Sequence, residues 1–474
     1  MANGDLTPDL CVIGAGSAGL AVAAGAVQMG ASVVLIERGR MGGDCLNYGC
    51  VPSKALLAAA QQAAAMRQGA KFGIKPVEPD IDFAAVMAHV SRVIAAIAPH
   101  DSQDRFEGLG VTVIRASAKF TSPLTVVADG RTIRPRRFVI ATGSRPAAPP
   151  IPGLDATPYL TNETVFTNTV LPSHLIIIGG GPIGMEMAQA HRRLGAAVTV
   201  LEASSPLSKD DPELTAIVLQ RLAEEGIDIR TGQTILSVDH SDAGFQVTLE
   251  GAAPLTGSHL LVAAGRAPNL SDLELEIGGI AHAPRGITVT AGLRSISNRR
   301  VYAAGDVAGG LQFTHVAGYH AGLIVQNALF RLPVKADVTA VPWVTYTDPE
   351  LAHVGLSEAD ARARYGSGVT VLRRAFTEND RAQAEGRTDG FLKAVATRSG
   401  RTLGASIVGK GAGELIAPWA LAVARRDKLS RLARAILPYP TRSEASKHVA
   451  GAYFTPKLYS DCTRRFVRFL ARFG

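Results

Sequence analysis

Cysteine is scarce in this chain, with four among 474 residues. That excludes a disulfide scaffold, and a closely spaced pair in so long a chain reads as chemistry. Aromatic residues make up only 5%. Outside residues 463–474 they do not interleave with basic runs as in a nucleic-acid groove, so no nucleic-acid partner is expected. Long apolar runs are missing too: no segment approaches the ~18 consecutive apolar residues of a membrane span. The first residues lack a basic n-region. Asp5 and Asp9 stand there and the chain enters a strand at once, so no secretory signal is read and a cytoplasmic location is expected. The excess of positive charge is small outside the tail. The net charge is +8, and residues 463–474 supply +4 of it through Arg464, Arg465, Arg468 and Arg472, with no acid. At this length there is room for about three domains.

What is present begins with a nucleotide fingerprint. The apolar run Leu10–Ile13 leads into Gly14-Ala15-Gly16-Ser17-Ala18-Gly19, then an Ala-rich helical stretch and the strand Ser32–Ile36, closed by Glu37. The glycines allow a tight turn and a close approach to a pyrophosphate at a helix N-terminus, while the acid suits ribose hydroxyls. The pattern returns at His174–Ile178, Gly179-Gly180-Gly181-Pro182-Ile183-Gly184 and Ala197–Leu201, closed by Glu202. Two such units imply two dinucleotides, most simply FAD and a nicotinamide. Glu202 would repel a 2′-phosphate and no arginine follows it closely, so NADH is favoured over NADPH.

Between the two lies Gly42-Gly43-Asp44-Cys45-Leu46-Asn47-Tyr48-Gly49-Cys50-Val51-Pro52-Ser53-Lys54. A pair of thiols beside a bound redox cofactor can cycle between dithiol and disulfide and pass on two electrons. With four residues between the cysteines the backbone must bend. Gly49, through positive φ, and Pro52, through the first helical turn, are expected to allow it.

With these motifs in view, the chain resembles the FAD-dependent pyridine nucleotide–disulfide oxidoreductases, a family that includes glutathione reductase, dihydrolipoamide dehydrogenase and mercuric reductase. The likeness covers nearly the whole length. Ala141-Thr142-Gly143-Ser144 resembles the family's A-T-G-S segment, Gly265-Arg266-Ala267-Pro268-Asn269 its G-R-x-P-N segment, and Val301–Asp306, ending in Gly305 and Asp306, its second FAD motif. The resemblance implies an α/β fold with two Rossmann-like domains, for FAD and NAD, and a C-terminal α+β dimerisation domain. The expected boundaries are 1–150 and 272–338 for FAD, 151–271 for the nicotinamide, and 339–474 for the interface. It also implies a homodimer and an electron path from NADH through flavin to Cys50, then to Cys45 as the outward thiol. Lys54 and Glu186 match residues that pair near the flavin in relatives.

The pattern departs at one place. The family's disulfide reductases carry His-Pro-Thr-x-x-Glu near the C-terminus, where the histidine serves thiol exchange across the dimer. Here the run is Tyr439-Pro440-Thr441-Arg442-Ser443-Glu444. A phenol does not collect protons from thiols at neutral pH as imidazole does. Mercuric reductase resembles this chain in that tyrosine, and soft ions suit thiolates. A soft metal ion, bound only transiently at Cys45 and Cys50, is the expected acceptor. The alternatives are a small or protein disulfide, a quinone or dye, or service as a membrane-docked flavoprotein. Mercuric reductase also has two adjacent cysteines near its C-terminus, whereas this chain has Cys462 followed by Thr463, read as an incidental thiol. Pro182 stands where some relatives have an aromatic gate. Cys11 reads as a core residue, and His315, His320 and His448 as structural or surface histidines. In the tail, Phe466, Val467, Leu470 and Phe473 oppose the arginines on one helix. Its apolar face is expected to pack on the body, with weak contact to an anionic membrane as the other reading.

Overall fold

The computed structural model describes residues 4–473. The apolar runs that close on the two fingerprints become strands buried on both faces, as a helix-covered parallel sheet requires. The first sheet has five parallel strands in the order Val301–Ala303, Arg137–Ile140, Leu10–Ile13, Val33–Ile36, Thr112–Ile114. Its edge strand Val301–Ala303 arrives only after the second sheet has been built, so this layer is discontinuous in sequence. The second sheet has four parallel strands, Asp228–Thr231, Ala197–Glu202, His174–Ile178 and His259–Val262. Each carries a three-stranded antiparallel meander, Lys119–Ile133 and Ile235–Gly257 respectively.

The C-terminal part is an antiparallel sheet of five strands in the order Trp343–Thr345, Glu350–Gly355, Thr402–Gly409, Phe391–Thr397, Val369–Ala375. Every residue of Thr402–Gly409 is buried. Trp419, fully enclosed in the core beneath this sheet, donates its indole N–H to Ser446 at 3.0 Å. The sheet docks on the second nucleotide layer through a buried ammonium. Lys393 Nζ lies 2.7 Å from Asp211, 3.0 Å from Glu213 and 2.8 Å from Glu358. Asp211 also caps the helix Pro212–Glu224, accepting from Glu213 N.

Three expectations meet a different outcome. Gly49 has φ −125°, not a positive φ. The bend is made by ending the short helix Gly43–Asn47 and starting Cys50–Arg67, and Gly49 is needed for space, because a Cβ there would stand 3.0 Å from Asp44 Oδ2. The run Phe83–Gly108 is apolar and long enough on average to resemble a membrane span. It is broken at Ala98–Asp101 into helices of 15 and 6 residues. The tail forms the helix Asp461–Leu470, but none of its residues is buried. Its apolar face is therefore not packed on the body of this chain. Gly474, the last residue of the expected tail, lies outside the described residues.

Candidate functional site

Both fingerprints fold alike, and the side-chain-free positions explain why. A Cβ on Gly19 would lie 1.8 Å from Gly14 O, and one on Gly184 would lie 2.0 Å from Gly179 O. These third glycines let helix and strand close up. Gly14 and Gly179, with φ of +104° and +113°, turn against Ala141 O and Ala263 O at distances no side chain would fit. Gly181 differs: a Cβ there would meet nothing within 4 Å. It faces open space at the start of the helix Pro182–Arg193, where a pyrophosphate would sit. The strand-end acids also match. Glu37 accepts from Ala15 N and Gly39 N, each at 2.6 Å. Glu202 accepts from Gly180 N at 2.7 Å and from Ser204 N and Oγ at 2.9 and 3.0 Å. Partial burial opposes ionisation of Glu202, but those donors hold its carboxyl below the usual range.

One cavity of about 1250 Å³ links the two cradles. It is lined by Gly14, Gly16, Ser17, Ala18 and Glu37 at one end and by Gly179, Gly181, Ile183 and Glu202 at the other, with Gly43, Asp44, Cys45, Cys50, Lys54 and Glu186 between. Thr142, Gly143, Ser144, Gly265, Arg266, Gly305 and Asp306 complete its wall. Gly42 adjoins it, its N–H donating to Ala15 O at 2.9 Å. The size, the two glycine cradles and the two acids fit a flavin dinucleotide and a nicotinamide dinucleotide meeting near the cysteines.

Segments far apart in sequence are joined here. Ser144–Pro146 pairs antiparallel with Arg266–Pro268, and Thr142 Oγ1 donates to Asn269 O at 2.8 Å. Asp306 accepts from the Ser144 hydroxyl. Burial raises the Asp306 carboxyl above its ordinary range, with the Ser144 bond working against it. Arg266 was expected to bind cofactor directly, but its guanidinium is spent on the protein. It donates to Ser144 Oγ at 2.8 Å and Ser144 O at 3.1 Å, and it pairs with Asp44 at 3.2 Å. It therefore braces the cavity wall.

The cysteines sit on consecutive helices, Cys45 half-buried and Cys50 open to the cavity, both free thiols. The two share a hydrogen bond, which chiefly holds Cys50 down to about 6 and pushes Cys45 up. Thr314, whose hydroxyl is 3.6 Å from Cys50 Sγ at the start of the helix Thr314–Phe330, and the Lys54 charge lower Cys50 further against burial. Lys54 Nζ pairs with the buried Glu186 carboxylate at 2.8 Å. Tyr346 grips both partners: its ring centroid is 4.3 Å from Lys54 Nζ and its N–H donates to Glu186 at 2.9 Å.

Tyr439 and Glu444 are not brought to this cavity within one chain. The Tyr439 hydroxyl is exposed and donates to Asp380 at 2.9 Å, which raises it above the ordinary phenol range. Glu444 accepts from Thr441 N at 3.4 Å. The imidazole on the cavity wall is His315, whose Nε2 is bonded to Pro342 O at 2.8 Å and whose basicity burial lowers. His320 accepts from Gly305 N at 3.3 Å, His448 is exposed, and Cys11 is fully buried. Sequence reasoning missed Thr314, Tyr346 and Asn162, whose amide donates to Asp44 at 2.9 Å and Tyr48 O at 3.2 Å. Thr314 had a signal, as the first residue after the second FAD motif that could cap a helix.

Two family models match the chain. Residues 8–321 match the pyridine nucleotide-disulphide oxidoreductase model, and residues 341–450 match that family's dimerisation domain. The chain belongs to this family. It is an NAD(P)H-dependent flavin disulfide oxidoreductase that uses FAD and a pyridine nucleotide, and the second match supports a homodimer. The mercuric reductase of Streptomyces lividans is 37% identical over 466 residues, spanning 96% of this chain and 98% of that protein. The dihydrolipoyl dehydrogenase of Geobacillus stearothermophilus is 33% identical over 449 residues, spanning 93% and 94%. Among solved structures, LpdA from Mycobacterium tuberculosis superposes with a TM-score of 0.87 at 27% identity, covering 94% of this chain and 99% of that one. The Cu(II) complex of RclA, an HOCl-induced flavoprotein disulfide reductase from Escherichia coli, gives 0.85 at 28% identity, with the same coverage.

Proposed function

We propose that the protein takes electrons from NADH and delivers them through the Cys45–Cys50 dithiol to a thiolate-seeking metal ion, Hg(II) first among them. The observation that carries this reading is Tyr439. The exposed, Asp380-bonded phenol stands where the family's disulfide reductases keep an imidazole. A disulfide acceptor needs its leaving thiolate protonated, a service worth roughly 10²–10⁴ in rate. A metal ion held by two thiolates needs only electrons. Support comes from similarity to mercuric reductases and to a reductase solved as its Cu(II) complex.

Bound FAD would supply a hydride acceptor for the nicotinamide and an electron donor for the disulfide. The chain does the rest. Gly181 and the N-terminus of Pro182–Arg193 receive the nicotinamide pyrophosphate, and Glu202 takes the free 2′-hydroxyl, which selects NADH. Lys54, fixed by Glu186 and Tyr346, holds positive charge beside Cys50. Cys50, kept as thiolate, is the sulfur that would take electrons from the flavin, and Cys45 the one that would meet the acceptor. Tyr439 and Glu444 of the partner subunit would close the pocket. The reaction balances as NADH plus Hg(II) giving NAD⁺, H⁺ and Hg(0), with the two thiolates regenerated.

The test is anaerobic NADH oxidation by the wild-type enzyme, with Hg(II) supplied as a complex with excess thiol and oxidised lipoamide as the competing acceptor. The expected result is turnover with Hg(II) and little with lipoamide, and a gain in lipoamide turnover of at least about tenfold in Tyr439→His. Brisk lipoamide reduction by the wild type, with none of Hg(II), would overturn the proposal in favour of a thiol–disulfide reductase.

A further inference from the structure

The C-terminal helix Asp461–Leu470 is the part of the molecule that the redox chemistry leaves unused. Its sequence sorts into two faces. At 100° per residue, Cys462, Phe466, Phe469, Leu470 and Phe473 fall on one stripe, while Arg464, Arg465, Arg468 and Arg472 fall on the other side. A helix with such a stripe normally buries it. Here Phe466, Phe469, Leu470 and Phe473 are 57%, 53%, 48% and 75% exposed, and no residue of the helix is buried. The exposed apolar surface continues upstream through Leu458 and Tyr459, at 58% and 67%.

The helix is well formed despite this. Ser460 caps it by accepting from Thr463 N at 3.2 Å, and Thr463 Oγ1 donates back to Lys457 O at 2.8 Å. Those bonds tie its first turn to the preceding segment and leave its later turns projecting. The charge selects the occupant. After Asp461 the helix and its extension carry four arginines and no acid, so the surface that receives the apolar face should bear dense negative charge close by. An acidic protein groove would meet that need only by being built for it. The headgroup plane of an anionic bilayer meets it generally, taking phenylalanine and leucine side chains to the acyl boundary while arginines stay among phosphates and tyrosine lies at the interface. The helix also lies beyond residue 450, where the match to the family's dimerisation domain ends, so that match does not extend to it.

We propose that residues 461–473 form an in-plane anchor that docks the dimeric enzyme reversibly on anionic phospholipid membranes. Two copies in a homodimer would double the contact and raise avidity without a further site. The anchor is independent of the acceptor and of the cysteine pair.

The experiment is co-sedimentation of the full-length holoenzyme with vesicles of phosphatidylcholine alone and of phosphatidylcholine mixed equally with phosphatidylglycerol. The proposal expects binding to the mixed vesicles only, released by raised salt. The triple variant Arg464→Gln/Arg465→Gln/Arg468→Gln should bind on the order of 100-fold more weakly, at about a factor of five per surface arginine. The variant Phe466→Ser/Phe469→Ser/Phe473→Ser should lose binding while keeping its flavin and its NADH-dependent reduction. Three outcomes would each overturn the proposal. They are no sedimentation with either vesicle, equal sedimentation with both, or a serine variant that still sediments but has dissociated to monomer, which would mean the face is covered by a second copy of the chain.

Discussion

At the scale of single residues, Cys50 and its neighbours set the chemistry. A thiol in an apolar cleft would ordinarily be raised, yet Cys50 is held at about 6, first by the hydrogen bond from Cys45 and then by Thr314 and Lys54. A group so lowered is thiolate above about pH 6 and becomes thiol as pH falls through that value. In Cys45→Ser the new hydroxyl keeps a donor in place and leaves Cys50 alone on this site. Its alkylation rate, followed by mass spectrometry of the Cys50 peptide, should therefore rise to a plateau by neutral pH. A midpoint near the ~8.5 of a free thiol would contradict the account. Lys54→Met should move the midpoint upward. The cysteines were legible in sequence because only four residues separate them. Thr314 and Tyr346 were not, since they reach the site from 264 and 160 residues away from the partners they touch. No local pattern encodes that approach.

The two fingerprints show at the scale of elements how one motif divides its duties. Gly184 is needed by the fold and Gly181 by the ligand. In Gly184→Ala the methyl would stand 2.0 Å from Gly179 O, so helix and strand must separate. A loss of about 1–3 kcal/mol or more is expected, read as a lowered midpoint of urea unfolding. Gly181 has φ −74° and open space before it, so Gly181→Ala should unfold as the wild type does while its KM for NADH rises about tenfold. Equal effects of both substitutions on stability would sink this division. The fingerprints could be read in advance because strand, glycines, helix and acid lie within one short stretch. The pairing of Ser144–Pro146 with Arg266–Pro268 could not, and with it went the role of Arg266, which the sequence placed on the cofactor and the structure spends on Ser144 and Asp44.

At the scale of the whole molecule, the three layers must hold their relative positions for the cavity to exist. Glu186 rides on the nucleotide helix Pro182–Arg193, Lys54 on Cys50–Arg67, and Tyr346 on the C-terminal part. Lys393 locks the last of these to the second layer through Asp211 and Glu213, and Glu358 of its own part holds the ammonium in place. Removing the ammonium leaves the buried Asp211 carboxylate without its cation, while Glu213 and Glu358 keep Arg373 at 2.8 and 3.1 Å. Lys393→Met is expected to cost about 3–5 kcal/mol in unfolding free energy, because the buried Asp211 carboxylate loses its cation. A change within 0.5 kcal/mol or so, the size of an ordinary surface substitution, would show that the layers dock by apolar contact alone. The architecture was legible from the two fingerprints and the C-terminal motifs together. The fate of the tail was not, since an amphipathic pattern names a face to be covered and not what covers it.

The central claim is that electrons leave the flavin only through the cysteine pair and reach a metal ion without help from an imidazole. The direct test is a single anaerobic experiment on wild type and Cys45→Ser side by side. Each enzyme is reduced with NADH until its flavin is bleached, two equivalents for the wild type in its disulfide form and one for Cys45→Ser, and the Hg(II)–thiol complex is then added while flavin absorbance and Hg(0) release are followed. The wild type should release Hg(0) with return of oxidised flavin. Cys45→Ser should accept the hydride, hold its flavin reduced and release none. Equal Hg(0) release from both would contradict the account, because the flavin would then be passing electrons onward without the dithiol.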